Sequence, residues 1–336
     1  MTGNPDPLGW GILATGKIAR SFAADLALVP GARLAAVGSR SEESAQAFAS
    51  GYGDSGTRVH GSYEALVADP AVDVVYIATP HSLHLAGARA AFRAGKHVLC
   101  EKPLTLRTSD AEEMVRLAAE HDRFLMEAMW TACHPVVREL RRELASGRFG
   151  TPYHLAAELG FRVDAPPTDR LLAPDLGGGA LLDMGIYPLT FAHLVLGEAE
   201  ELRGVGTLSP SGVDLDVAIA GRYPGGAVAT MHASMTSWSS RSASIATDLG
   251  RIELQGDFHH PRAAVFTPAG RPEQQVVLTG DEPVVGRGYG NEAAEVDRCI
   301  RAGLRESPLV PHAQTLTILR QMDALRADLG IRYPGD

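Results

Sequence analysis

Gly11-Ile12-Leu13-Ala14-Thr15-Gly16-Lys17-Ile18-Ala19 is the stretch on which the fold turns. An apolar run, Leu8 to Leu13, leads into it, and a helix-periodic run, Lys17 to Leu28, leads out, so its small residues sit on a tight strand-to-helix turn. Aligned to the dinucleotide fingerprint G-x-G-x-x-G/A, Ala14 takes the first glycine position, Gly16 the second and Ala19 the third. Gly16 lets backbone approach a pyrophosphate lying on the helix N-terminus, where unpaired N–H groups favour an anion. Ala14 departs from the pattern, and a βα turn of this kind also arises from turn geometry alone. The surrounding sequence decides for the nucleotide reading. Strand candidates Arg33 to Val37, Val72 to Ala78, His97 to Cys100 and Phe124 to Glu127 alternate with helix candidates Glu42 to Ser50, Leu83 to Ala94 and Thr108 to His121. Ser41, and Thr108 or Ser109, are the N-cap candidates. Such alternation reads as an α/β Rossmann domain with a parallel sheet.

At the end of the second strand stands Ala36-Val37-Gly38-Ser39-Arg40-Ser41, without an acid to hold a ribose 2'-hydroxyl. Ser39 and Arg40 suit a 2'-phosphate instead, the arginine through charge-assisted bonds and stacking on adenine. NADP is therefore the expected cofactor, with NAD as the alternative; the structural reading of Arg40 is a solvated charge at a helix start.

After about Ala128 the pattern changes. A helix candidate, Pro135 to Ala145, is followed by strand-like runs at Tyr153 to Phe161, Leu202 to Leu208, Val213 to Tyr223, Ala227 to Ser234, Ser242 to Thr247 and Arg251 to Gln255. Turn chemistry such as Pro224-Gly225-Gly226 points to antiparallel connections. We expect a Rossmann domain over residues 1–128 and an α+β domain over 129–336 with an open, predominantly antiparallel sheet. Two closing helices, Asn291 to Ala302 and His312 to Leu329, are placed to pack back on the first domain. The open face, with Val217, Ile219 and Met231 on alternating positions, would meet water unless a second copy covered it, so a homodimer or higher homo-oligomer is expected.

With 336 residues, 45% hydrophobic and 21% charged, the chain has material for about two soluble domains. A net charge of -9 and the lack of a Lys/Arg run exclude a nucleic-acid footprint and leave small molecules as partners. Cys100, Cys133 and Cys299 are too far apart for a zinc spacing and odd in number for a disulfide framework. Met1-Thr2-Gly3-Asn4-Pro5-Asp6-Pro7 has neither basic nor apolar leader character, and no stretch reads as a membrane span. Cytoplasmic residence is the expectation.

The chemistry resides in Val98-Leu99-Cys100-Glu101-Lys102-Pro103 and in Gly177-Gly178-Gly179-Ala180-Leu181-Leu182-Asp183-Met184-Gly185-Ile186-Tyr187-Pro188. An ammonium beside a tyrosine hydroxyl moves a proton on and off an alcohol oxygen, because the cation favours the phenolate. If Ala180 to Leu196 is one helix, Asp183 and Tyr187 lie one turn apart on one face and meet the same substrate oxygen. Taken singly, each has a structural reading: a strand-end lysine, a core-edge aromatic, a helix-surface acid. Together they mark a hydride-transferring site.

These segments, with Trp10-Gly11-Ile12-Leu13, Ala78-Thr79-Pro80-His81-Ser82-Leu83-His84 and Ala94-Gly95-Lys96-His97-Val98-Leu99, resemble the glucose-fructose oxidoreductase / inositol dehydrogenase family over nearly the whole chain. Phe124-Leu125-Met126-Glu127-Ala128-Met129-Trp130-Thr131 and Leu182 to Tyr187 look most like the branch of dimeric trans-dihydrodiol dehydrogenases and NADP-dependent D-xylose dehydrogenases. The resemblance implies a nicotinamide held between the two domains and an open sheet that often forms a dimer face. Many relatives carry histidine where this chain has Tyr187, whereas the Lys-Tyr mechanism of the dihydrodiol branch transfers onto Lys102 and Tyr187. Asp183 joins them as the third catalytic candidate. Cofactor candidates are Ala14, Thr15, Gly16, Lys17, Ile18, Ser39, Arg40, Thr79, Pro80, His84, Glu101 and Lys102. Trp130, His134, Arg162 and Trp238 are candidates for the substrate pocket. His259-His260 is a lone pair without ligand context, and no metal is expected.

Three classes compete. An NADP(H)-dependent oxidoreductase acting on a sugar, polyol or cyclic trans-diol leads. An NAD-dependent glycoside hydrolase of the same fold is opposed by Arg40, and a non-catalytic dinucleotide-binding regulator by retention of the Lys-Tyr pair.

Overall fold

The computed structural model describes residues 6–336; residues 1–5, the greater part of the segment read as lacking leader character, lie outside the described residues. The chain divides into two compact units, one running through Cys133 and including Val284–Thr315, the other His134–Pro283 with Leu316–Asp336.

In the first unit strands and helices alternate: β1 (Leu8–Leu13), α1 (Lys17–Leu26), β2 (Ala32–Gly38), α2 (Glu42–Tyr52), β3 (Arg58–His60), α3 (Tyr63–Val67), β4 (Val74–Ile77), α4 (His84–Arg93), β5 (His97–Cys100), α5 (Thr108–Glu120), β6 (Leu125–Glu127) and α6 (Trp130–Cys133). The six strands form one parallel sheet in the order β3-β2-β1-β4-β5-β6. This is the doubly wound order, whose reversal between β1 and β4 opens a crevice at the strands' C-terminal ends. The strands read as continuous apolar runs because both sheet faces are covered: β4 is buried at every position. Trp10, Phe22 and Tyr76 fill the core beneath the turn, with the Phe22 and Tyr76 rings stacked at 3.8 Å.

Neither β3 nor α3 was expected; three and five residues are too short to show a period. Ser41 caps α2, accepting the Ser44 N–H. The cap expected for α5 at Thr108 or Ser109 falls instead on Arg107, which is extended and makes no side-chain capping bond to the helix backbone. Its guanidinium pairs with Asp110 at 3.0 Å, and Thr108 is buried.

The second unit holds α7 (Pro135–Ala145), β7 (Pro152–Gly160), α8 (Ile186–Leu196), β8 (Glu201–Leu208), β9 (Asp214–Arg222), β10 (Val228–Ser234), β11 (Ala243–Thr247), β12 (Gly250–Leu254), β13 (Ala264–Pro268) and β14 (Val276–Leu278). Of the two closing helices, α9 (Tyr289–Arg301) belongs to the first unit, while α10 (His312–Leu329) begins in the first and continues in the second. The sheet order is β14-β13-β12-β11-β7-β10-β9-β8. β7 and β10 pair in parallel and the other neighbours antiparallel. Gly225 and Gly226, at φ +74 and +82, turn the chain between β9 and β10.

The alternation read in β9 and β10 is real, but its phase is inverted. Val217, Ile219 and Met231 are buried at 0%, 3% and 2% exposure, on the side where α8 packs against β7 and β10. The outward row carries Ala218, Ala220 and Thr230. A period of two defines two faces and leaves open which one a helix covers.

One described segment, Pro174–Leu196, is long and apolar enough to span a membrane, contrary to the sequence reading; 83% of its apolar window is buried inside the protein. It is apolar all round because it is surrounded by core. The single helix expected from Ala180 is also interrupted: Leu181–Gly185 forms a π-helical turn, and α8 begins only at Ile186.

Candidate active site

The first turn of α1 is built to receive an anion. Gly16 is its N-cap, no side chain caps the helix, and its first turn carries no acid. A Cβ at Gly16 would meet nothing within 4 Å, so the approach to these N–H groups is open. Ala14 adopts φ +84 and donates its N–H to Gly38 at 2.9 Å. The glycine-like conformation survives without glycine, at a cost of roughly 1–2 kcal/mol. Thr15 and Ile18 are half-buried, and Gly16 and Lys17 exposed, along the same rim. Ser39 is buried, its N–H bonded to His60 at 3.1 Å, and Arg40 is exposed. Burial raises the Tyr63 phenol while the nearby Arg40 cation opposes that rise. These features fit a dinucleotide with its pyrophosphate on α1 and a phosphate near Arg40.

The loops after β4 and β5 supply the next residues. Thr79 Oγ1 is buried without a hydrogen-bond partner among the described residues, beside half-buried Pro80. His84, read as a cofactor contact, has no exposed surface. Its Nε2 lies 3.0 Å from the Thr79 carbonyl, and Nδ1 3.1 and 3.2 Å from those of Pro103 and Leu104. It ties the β4 loop to the β5 loop and offers no surface to a cofactor; burial holds its pKa below the usual histidine value.

Glu101 accepts the buried Tyr76 hydroxyl and, at 3.3 Å, the Lys102 N–H. Glu127 accepts Leu104 N–H and the Thr315 hydroxyl, both at 2.9 Å. Burial raises its pKa, and the Lys102 charge counters that rise. Lys102, half-buried, thus stands among carboxyls that hold its loop. Trp130, read as a pocket residue, is 5% exposed and stacks on Tyr289 at 4.2 Å, so it packs α6 against α9.

In the second unit the π turn presents Asp183 and the first turn of α8 presents Tyr187. Asp183 Oδ1 pairs with Arg170 at 3.2 Å. Tyr187 is buried except for 8% of its surface, and its ring lies 4.9 Å from that of His259. A π turn advances fewer degrees per residue than an α turn, so the i, i+4 relation does not translate into the ideal α-helical face. His259 and His260, with Asp257, bring three donor atoms within 4.8 Å of one another. Asp257 is already engaged by Arg241 at 3.2 Å, and both residues hold positive φ, +48 and +52.

His134 is 2% exposed, with Nδ1 unpartnered among the described residues. Burial, reinforced by the His260 charge, lowers its pKa to about 4, so it is neutral at pH 7. Arg162 is exposed just beyond β7, and Trp238 is 72% exposed beyond β10. The sequence reading missed Arg170 and the placing of His259 against Tyr187. No spacing signals either, since both arrive from loops; only the His259-His260 doublet was visible.

A parallel doubly wound sheet with an uncapped glycine turn defines a dinucleotide-binding fold. The chain belongs to the GFO/IDH/MocA family: the model of the oxidoreductase family with an NAD-binding Rossmann fold matches residues 8–129, and that of the GFO/IDH/MocA C-terminal domain residues 137–257. It is 34% identical to the D-xylose 1-dehydrogenase (NADP(+)) of Hypocrea jecorina over 99% of this chain and 95% of that one. Identity is 32% to the trans-1,2-dihydrobenzene-1,2-diol dehydrogenase of Mus musculus, over 98% of this chain and 99% of that one. Among solved structures, a 3-ketoreductase from Actinomadura kijaniata in complex with NADP and TDP-benzene superposes with a TM-score of 0.85 at 27% identity, over 96% of this chain and 98% of that one.

Proposed function

We propose that the chain is an NADP(H)-dependent dehydrogenase/reductase that interconverts a CH–OH group and a carbonyl on a sugar, polyol or cyclic trans-diol. The observation that carries this is the polar cluster of Tyr187, Asp183, Arg170 and His259 at the head of the otherwise apolar α8, in a chain whose other unit is a dinucleotide fold. Ala14, Thr15, Gly16, Lys17 and Ile18 hold the pyrophosphate, Ser39 and Arg40 the 2'-phosphate, and Thr79, Pro80, Glu101 and Lys102 shape the nicotinamide end.

The bound cofactor supplies or accepts the hydride. In the reducing direction the Tyr187 hydroxyl donates its proton to the oxygen that gains negative charge, and in the oxidising direction it takes that proton back. Lys102 stabilises the charge on oxygen; in a site poor in water such a contribution is on the order of 3–4 kcal/mol, that of one oxyanion-hole donor. Asp183, held by Arg170, accepts a hydroxyl of the substrate.

The test follows absorbance at 340 nm with aldoses, polyols, ketosugars and trans-dihydrodiols, each with both cofactors. Turnover with NADP(H) on one of these classes is expected; silence across the whole panel overturns the reading. Cytoplasmic residence is part of the proposal, resting on three buried cysteines that form no disulfide.

The second unit's outward sheet face supports a homodimer. Ala156, Ala218, Ala220 and Thr230 line the mostly apolar floor of a shallow depression of about 680 Å³ that also takes in Glu158, Arg203 and His232, with Val205 and Val228 at 73% and 45% exposure on the same sheet. Small residues let a second sheet approach closely, and one apolar face on a twofold axis covers itself. Light scattering at micromolar concentration should give twice the mass of one chain, and Ala218→Arg should shift it toward the monomer. A wild-type monomer overturns this assignment.

A further inference from the structure

Asp214, the first residue of β9, is fully buried, yet its carboxyl takes no part in the chemistry just described. Its Oδ2 accepts the Leu181 N–H at 2.6 Å, at the head of the π turn that leads to Tyr187. Its Oδ1 is buried with no hydrogen-bond partner among the described residues. A Cβ on Gly179 would stand 2.2 Å from that oxygen, and Gly179 holds φ +135, so glycine is what lets the chain cross the carboxyl. From the other side the Tyr333 hydroxyl donates to the Gly178 carbonyl at 2.7 Å. The guanidinium of Arg326, on α10, lies 4.5 Å from the Tyr333 ring centre.

An ordinary helix start needs only a Ser, Thr or Asn cap, which costs little to bury. A buried carboxylate held mainly by one short backbone bond is costly, more so than a neutral cap would be. The π turn that follows lacks the regular i→i−4 ladder, so the register of the segment from Leu181 to Tyr187 depends on how its first N–H groups are held.

We propose that Asp214 is a positioning residue for Tyr187: its carboxylate anchors the entry of the segment carrying Asp183 and Tyr187 and so sets where the tyrosine hydroxyl stands. This rests on reading Tyr187 as the proton donor. The charged and titratable groups around Asp214 are Arg326 of α10 with its partners Asp323 and Asp336, and Tyr333 of the C-terminal tail. Burial raises the Asp214 pKa to about 6, against the pull of the Leu181 N–H, its own backbone N–H, the Arg326 charge and the Ala180 N–H. A carboxyl whose folded pKa lies above its unfolded value binds its proton more tightly when folded. Its contribution to stability is therefore greatest below about pH 4 and declines as pH rises to about 6.

The experiment compares Asp214→Asn, which keeps an acceptor without the charge, with Asp214→Leu and with Tyr187→Phe. The readouts are the unfolding temperature from pH 4 to pH 8, amide exchange over the whole unit and over Leu181 to Tyr187 without cofactor, and kcat with the KM for NADPH on the fastest substrate of the 340 nm panel. Asp214→Asn should unfold at the wild-type temperature or above and flatten the decline of stability between pH 4 and 6. Exchange in the anchored segment should rise about tenfold, and kcat should fall tenfold or more with KM for NADPH unchanged. Unchanged exchange with kcat within twofold of wild type overturns the proposal. So does a lower unfolding temperature with exchange raised across the whole unit, the mark of a merely structural residue. If Asp214→Leu does not fold, Asp214→Asn decides alone. Near-native turnover in Tyr187→Phe sinks the proton-donor reading, whereas the exchange result judges the anchor separately.

Discussion

Tyr187→Phe should lower kcat by roughly two to four orders of magnitude, the scale of lost general acid–base catalysis. The substitution removes only a hydroxyl from a side chain that is 8% exposed, and the ring keeps its packing against His259. Unfolding temperature and NADPH affinity should therefore stay near wild type. Lys102→Met should be comparably damaging if the ammonium is, as proposed, the counter-ion of the developing charge on oxygen. If the two groups act on the same oxygen, the double variant is scarcely worse than either single one; groups that function as a unit are strongly non-additive. Additive losses would show that they act separately, and a Tyr187→Phe enzyme with near-native turnover would remove tyrosine from the mechanism.

Arg40→Ala should erase most of the preference for NADPH over NADH. The preference is expected at about 1–3 kcal/mol, the worth of a charge-assisted contact to the 2'-phosphate. Arg40 is exposed at the end of β2 and makes no ion pair among the described residues, so its loss should weaken NADPH and leave NADH nearly untouched. Salt should narrow the wild-type gap as well, because an exposed phosphate contact is screened. Fluorescence titration reads both affinities. Equal affinities in the wild type, or equal losses in the variant, would leave Arg40 as a surface charge only.

The nucleotide half of the fold was legible because its signals are local. Continuous apolar runs such as Val74–Ile77 require burial on both faces, and the small residues from Ala14 to Ala19 sit where strand must turn into helix. The bounds of β1, β5, α7 and α10 coincide with their periodicity, whereas β3 and α3 are shorter than any period that could reveal them. Ala14 shows the limit of motif reading: the first fingerprint glycine is missing, yet the backbone takes φ +84 there, held by the bond to Gly38 on the neighbouring strand.

The candidate site residues divide along the same physical line. Lys102, Asp183 and Tyr187 stand out in the sequence because each interrupts an apolar or glycine-rich run where a polar group needs a reason. Their partners do not, because they come from remote loops: Arg170 reaches Asp183, His259 lies against Tyr187, and Asp214 enters from β9 to hold the Leu181 N–H. His84 and Trp130 looked like site residues by type and position, and only packing shows that one ties two loops together and the other joins two helices. Alternation in β9 and β10 announced two faces, but the choice of buried face waited on the segment Leu181–Leu196, whose π turn packs on β9 and β10 and whose helix α8 packs on β7 and β10, on the side of Val217, Ile219 and Met231, leaving Ala218, Ala220 and Thr230 outside. Periodicity is a property of the chain's own backbone geometry and can be read along it; the burial of a given face, and the partner of a given side chain, depend on elements that reach it only when the chain has folded.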